Sequence, residues 1–512
     1  MKYAMIILLF LGINSVFAYG HEWIYDYDYS DYLPPSQDPP GGLSPEEVPM
    51  FITIGFDDNS RSGIDTVGSR PTEYDYPEGM LWALKYFRTL TNPEGEGNAA
   101  TYDGTPVRVA FYNTSYYASG YNGDNPALIR RIWNELYEDG HEIGNHTHTH
   151  SENLQSADAA QWREEVQTCN EWMTKPLAPD SLALWQQAES DEFGSGIPQE
   201  HIIGFRTPFL AYGGPLFPTL KEEGLIYDCT IEEGNYWEHD GRNFRWPYTL
   251  DYGSPGHEEG WSGNPDNPDF FEVPAVPGFW QLPNHVAMIP SAEEAKKYGI
   301  DYSISEVIAD NISWVSPDTE KITMFDYNLW AQAGLNNEEV LAIMKFTFDR
   351  RMEGNRAPLM IGAHSEYFHH DKDGSCENAS DTRGRQKVFE DFLEYALSHP
   401  EVRVVRPIDI ISWMRNPVPL EGDFETSVSQ ESFRESGSIS AEVVSEGFHI
   451  NHGASLPTTR INISLYTVQG RRITQDVVDV QSGSFMWNPD ISLTPGAYIL
   501  QINGTPHRVN IQ

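Results

Sequence analysis

Met50-Phe51-Ile52-Thr53-Ile54-Gly55-Phe56-Asp57-Asp58 is the stretch that decides the fold. A near-continuous apolar run that stops abruptly at two carboxylates is too short for a buried helix. It is also too apolar for a strand with one wet face, so it predicts a strand covered on both sides. A second such run spans Val107 to Tyr112. Between and beyond these runs the period changes to helical. Leu128, Ile129, Ile132 and Leu136 recur on one face, closed by Asp139-Gly140 and followed by the short run His141 to Gly144. Ala159, Trp162, Val166, Cys169 and Met173 form another helical face ahead of a strand at Ile202 to Phe205. Leu341, Met344 and Phe348 precede Leu359-Met360-Ile361, and Val388, Phe392 and Ala396 precede Val402 to Val405. Repeated βα units predict an α/β fold with a parallel sheet or barrel and a site at the carboxyl ends of its strands.

The chain has 512 residues, enough for two or three domains. With 33 Lys plus Arg against 76 Asp plus Glu, its net charge of −43 repels phosphate backbones, so nucleic acid is not an expected partner. At 39% hydrophobic and 13% aromatic it is too apolar for a disordered chain. Lys2, the apolar run Ala4 to Gly12 and Val16-Phe17-Ala18 read as a secretory signal cleaved near Ala18, which predicts a secreted or cell-surface protein. No later segment approaches the roughly 20 apolar residues of a membrane span. Cys169, Cys229 and Cys376 allow at most one disulfide, of unassigned pairing.

The expected organisation is a signal peptide at 1–18, an acidic Pro/Tyr-rich linker at 19–47 and a catalytic domain at 48–415 carrying a loop insertion at about 229–335. A linker at 416–437 then leads to a small β module at 438–512. Alternation at Ile461/Ile463/Leu465 and at Tyr498/Leu500/Ile502, with a turn at Gln469-Gly470, predicts a β-sandwich-like module without a catalytic cluster.

Chemistry-bearing residues fall just after the predicted strands. Adjacent Asp57 and Asp58 point to different sides, so one can bind a metal while the other acts as a base. In Asn145-His146-Thr147-His148-Thr149-His150, His146 and His150 share a face if the segment turns helically, a clamp suited to zinc that needs one carboxylate to complete it. His148 falls outside that face. In Gly204-Phe205-Arg206-Thr207-Pro208-Phe209, Arg206 can grip a carboxylate and the Phe209 N–H can meet an oxyanion. Gly362-Ala363-His364 delivers an imidazole able to act as general acid. His369 and His370, with Asp371, read as a solvated loop.

In this order, GFDD, NHTHTH, RTPF and a late strand-end His resemble the polysaccharide deacetylase family, the NodB-homology carbohydrate esterases, over about residues 48 to 415. The resemblance implies a distorted (β/α) barrel and metal-dependent removal of acetyl groups from acetylated poly- or oligosaccharides. It places Asp58, His146 and His150 on Zn²⁺, with Co²⁺ or another divalent ion as alternatives. Asp57 is then the base, Arg206 its orienter, the Phe209 N–H part of the oxyanion hole and His364 the acid. Tyr227-Asp228 and Trp246-Pro247-Tyr248-Thr249-Leu250-Asp251-Tyr252 resemble animal-type chitin deacetylases, which points to N-acetylglucosamine polymers. Acetylxylan, peptidoglycan and a catalytically silent glycan binder are the alternatives. Asp228, Trp237, Trp246, Trp261 and Trp280 are the candidate substrate contacts. Gly55 and Phe209 replace the family's usual Thr and Tyr, and the fourth motif has no clean match; Asp228 and Trp246 stand nearest to it. The C-terminal segment is similar to bacterial secretion or sorting modules through Leu465 to Arg471 and Leu493 to Tyr498, with carbohydrate binding the competing role.

Overall fold

The structure, a computed structural model, describes residues 21–67, 70–73, 77–119, 124–179, 188–261, 271–370 and 382–421, together with the strands of a C-terminal unit between 440 and 511. The expected signal peptide, Cys376 and the Gln469-Gly470 turn lie outside the described residues. The chain divides into two compact units, Met1–Leu420 and Glu421–Gln512.

The first unit is a mixed α/β structure built on a nine-stranded sheet. Its strands are β1 (Met50–Asp57), β2 (Ala110–Asn113), β3 (Glu142–Asn145), β4 (Gly204–Phe205), β5 (Tyr227–Asp228), β6 (Tyr248–Thr249), β7 (Trp280–Gln281), β8 (Leu359–His364) and β9 (Val402–Val404). Their order is β8-β1-β2-β3-β4-β5-β7-β6, with β9 beside the first half of β1, and every pairing is parallel except that of β6 with β7. Past β7, Asn284–His285 lies close to β8, so the sheet wraps back toward its own start. Among the described residues no helix is long and apolar enough to cross a membrane.

All eight residues of β1 are buried, as a strand covered on both faces requires. Ile52, Ile54 and Phe56 pack into the core beneath α1 (Gly79–Phe87) and α5 (Thr382–Leu397), where Phe56 meets the rings of Phe87, Phe111 and Phe389. The helical faces read from sequence form α2 (Pro126–Glu138), α3 (Ala159–Thr174), α4 (Asn337–Glu353) and α5, while α6 (Pro407–Arg415) follows β9. Tyr112 is fully buried, and a Cβ on Gly144 would stand 2.4 Å from its ring, so glycine is what lets the ring in. Its hydroxyl lies 2.9 Å from that of Tyr227, which donates to Glu142 Oε1 at 2.6 Å. Glu142 Oε2 in turn accepts the Ile408 N–H at 3.1 Å, tying the start of α6 to the sheet.

Two expectations on organisation need correction. The stretch 229–335 is no inserted loop: it supplies β6 and β7 to the main sheet. Its strands are only two residues long, too short to show alternation, so turn composition masked them. Residues 21–47, read as a tether, lie along the first unit as a strap. Thr249 N–H donates to Leu33 O at 2.8 Å and Trp246 N–H to Ser36 O at 2.9 Å, which covers the free edge of β6. His21 Nε2 reaches Asp409 Oδ1 at 2.6 Å, and Arg415 lies 4.1 Å over the Trp23 ring.

The second unit carries two antiparallel sheets. One orders Ser440–Val444, Gly447–His452 and Gly483–Trp487; the other orders Arg472–Val480, Thr459–Thr467, Gly496–Ile502 and Thr505–Ile511. Phe448, Ile463, Leu465, Trp487 and Leu500 are buried within it.

Candidate active site

The carboxyl ends of β1, β3, β4 and β8 open into one cleft of about 830 Å³. Asp57, Asp58, His146, His150, Phe209 and His364 all line it. Asp57 closes β1 and is the register partner of His364, the last residue of β8.

Arg206 lies beneath the cleft, fully buried. Its Nη1 donates to Asp57 Oδ1 at 2.8 Å, and the guanidinium is sandwiched between the rings of Tyr112 at 4.6 Å and Phe325 at 5.1 Å. A Cβ on Gly55 would stand 2.7 Å from Nη1 and 2.8 Å from the Tyr112 ring, so here the guanidinium occupies the space a side chain would need. Burial disfavours the Arg206 charge, but the Asp57 carboxylate, Cys229 and Tyr112 together outweigh it and raise the pKa.

Asp58 Oδ1 is 2.8 Å from His150 Nε2 and 3.4 Å from His146 Nε2. The His146 Nδ1–H donates to Arg206 O at 2.7 Å, which leaves the Nε2 lone pair facing Asp58. One ligand atom from each of the three residues lies within 4.8 Å of the others. Asp58 Oδ1 is buried with no hydrogen-bond partner of good geometry, and with the two imidazole nitrogens it makes an N₂O donor set suited to a metal ion. Burial opposes the Asp58 charge, yet the facing His150, His146 and His364 hold its pKa well below the carboxylate range.

The two histidines do not converge through a helical turn. Residues 146–150 are non-helical, with left-handed Thr147 (φ 70°) and His150 (φ 52°). Asp58 (φ 65°), Asn59 (φ 57°), Phe209 (φ 57°) and Leu210 (φ 51°) share this unfavourable region, so the backbone strain gathers at the cleft. Asn59 shows what holds it there: its Nδ2 donates to Phe56 O at 2.8 Å and Asn113 Oδ1 at 2.8 Å. His148 sits outside the trio, 2.8 Å from Ser115 Oγ.

His364 is held at two points by the buried Asp326, whose Oδ1 lies 2.6 Å from its Nδ1 while Oδ2 accepts its backbone N–H at 2.6 Å. Burial pushes the imidazole pKa down, but Asp326, Asp58 and Asp57 together raise it to about 10, so the ring is cationic at neutral pH. Sequence reasoning missed Asp326. Its signal was an apolar pair, Met324-Phe325, ending in a carboxylate, and it was hidden inside the stretch taken for a loop.

The proposed substrate contacts divide. Trp237 is 76% exposed, two residues from Asn235 on the cleft wall. Trp246 and Trp280 are core residues: Trp246 stacks on Trp413 at 5.8 Å and Trp280 donates to Asp31 Oδ2 at 3.1 Å. Asp228 is buried outside the cleft lining and accepts from Thr230, with burial raising its pKa to about 7. The Trp261 side chain lies outside the described residues. Tyr117, Tyr212, Tyr327 and Tyr367, none of them singled out in the sequence, furnish the aromatic wall. His369, read as solvated, is only 1% exposed. Cys169 and Cys229 are buried free thiols.

Residues 105–185 match the family model described as polysaccharide deacetylase. The chain is 24% identical to chitin deacetylase 8 of Bombyx mori over 385 residues, covering 75% of this chain and 74% of that protein. Chitin deacetylase 1 of Bombyx mori is 23% identical over 384 residues, covering 74% of this chain and 53% of that protein, so the chain spans about half of this relative's length. A crystal structure of a polysaccharide deacetylase candidate from Mycobacterium smegmatis superposes with a TM-score of 0.37 at 14% identity, over 75% of this chain and 95% of that one. In sequence, the chain resembles the polysaccharide deacetylases, with chitin deacetylases among its relatives.

Proposed function

We propose that this protein is a secreted, metal-dependent deacetylase that hydrolyses N-acetyl groups of N-acetylglucosamine polymers to acetate and free amine. The observation that carries the reading is the pairing of Asp57 with His364 at the mouth of one cleft, beside the Asp58, His146 and His150 trio. The chitin deacetylase relatives support the choice of polymer.

A divalent ion held by Asp58, His146 and His150, zinc above others, supplies Lewis acidity toward the acetyl carbonyl and acidifies water when bound. Every remaining step belongs to protein groups. Asp57 takes the proton of the attacking water, its carboxylate fixed by Arg206 Nη1. The Phe209 N–H donates to the oxyanion as the carbonyl becomes tetrahedral. His364 then gives its proton to the departing nitrogen, and Asp326 keeps the imidazole charged until that moment. The tyrosine wall and the exposed Trp237 offer flat faces for sugar rings. In this reading the wrapped sheet is the distorted NodB-type barrel, and the C-terminal unit is a small β-sandwich serving sorting or carbohydrate binding.

The test is acetate release from N-acetylglucosamine oligomers, with acetylated xylan alongside, using zinc-loaded protein and its Asp57→Asn variant. Release from the oligomers that disappears in the variant is the expected result. Release from xylan alone reassigns the substrate to an ester, and silence on both overturns the N-acetylglucosamine-polymer reading in favour of another glycan or a catalytically silent binder.

A further inference from the structure

We infer that a second divalent-metal site, separate from the cleft trio, is formed by Glu78, His369 and His370. One ligand atom from each residue lies within 4.8 Å of the others. Glu78 immediately precedes α1, yet its carboxylate does not cap that helix. It reaches across instead, and Oε2 accepts the His370 N–H at 2.9 Å, lies 2.8 Å from His370 Nδ1 and 3.8 Å from His369 Nε2. The two imidazoles lie with centroids 4.3 Å apart and planes tilted by 33°, one ring buried and the other half in water.

This arrangement is built from below. Gln386, buried on α5, donates through Nε2 to Pro77 O at 3.0 Å and to Phe368 O at 3.4 Å, the carbonyls just ahead of Glu78 and of His369. Trp82 of α1 stacks on Phe368 at 4.6 Å, locking the same two segments together. Two distant stretches of chain are thus clamped so that a carboxylate and two imidazoles converge. Two nitrogens and one oxygen form a borderline donor set that takes Zn²⁺, Co²⁺, Ni²⁺ or Cu²⁺ in preference to Ca²⁺ or Mg²⁺. Such an ion would fasten the segment after β8, and therefore the Glu366 and Tyr367 wall of the cleft, onto α1.

Metal content of the full chain, stripped with chelator and reloaded with Zn²⁺, tests this independently of any catalytic assay. Wild-type protein is expected to hold two equivalents. His370→Ala and Glu78→Gln should each hold one, and His150→Ala should also hold one, but from the other site. Co²⁺-loaded His150→Ala should then retain a visible d–d band that the further change His370→Ala abolishes. One equivalent in wild type with none in His150→Ala overturns the proposal and leaves Glu78 and His370 as a simple ion pair. Two equivalents retained in both His370→Ala and Glu78→Gln overturns it as well.

Discussion

Asp57 and His364 are register partners on the last rung between β1 and β8, adjacent in space though far apart in the chain. A parallel ladder sends both side chains from the same end of the sheet, so the proposed base and acid are delivered to one cleft by strand pairing. No loop has to be ordered to bring them together.

Replacing the proposed base should therefore act on chemistry alone. Asp57→Asn is expected to lower kcat about 10²- to 10⁴-fold. Bound zinc should stay unchanged, because the proposed ligands are Asp58, His146 and His150, not Asp57. Parallel turnover and metal analysis check both halves, and loss of metal together with rate would place Asp57 among the ligands.

Asp326→Asn removes the charge that follows burial among the causes setting the His364 pKa near 10. With its folded pKa above the unfolded value, the His364–Asp326 pair contributes stability that is fully present below about pH 6.5 and lost as pH rises through about 10. In the variant the basic limb of kcat/KM should move to lower pH while the acidic limb stays. A pH–rate profile measures this; an unmoved basic limb would separate Asp326 from proton transfer.

Gly55→Ala puts a methyl group within 2.7 Å of Arg206 Nη1. Overpacking of this kind costs about 1–3 kcal/mol. Because the displaced group orients Asp57, kcat should fall more than the stability loss explains. Denaturant titration beside steady-state kinetics separates the two effects.

Chelation should abolish turnover and Zn²⁺ should restore it, with metal affinity weakening toward acid pH. Burial lowers the His150 pKa, but Asp58 raises it further, so protons compete with metal at this ligand below its raised pKa. Zinc titrations from pH 5 to 8 should show affinity rising with pH. A flat profile would remove His150 from the ligand set.

The long strands and helices of the first unit were readable because each repeats its pattern over enough residues: the β1 run, the α3 face and the approach to β8 all lie where the periods put them. Two-residue strands carry no period, which is why β6 and β7 hid in a Gly/Pro-rich stretch and Asp326 with them. His146 and His150 were read as a pair, but a helical turn does not join them; left-handed Thr147 and His150 do, and no sequence pattern of β-branched and aromatic residues announces that backbone. Composition placed Trp246 and Trp280 with sugars, whereas Trp413 and Asp31, distant in sequence, hold them in the interior.

The segment from His21 to Glu47 also bears on how this protein can be cut for study. A fragment begun at Pro49, where the β1 run opens, would strip Leu33 and Ser36 from the backbone groups of Thr249 and Trp246. The edge of β6 would then be an open template, and two copies could zip together along it. Such a fragment should express as oligomers or inclusion bodies, while one begun at His21 stays monodisperse. The outermost stretch of the first unit, the one that reads as dispensable, serves as a guard against self-association.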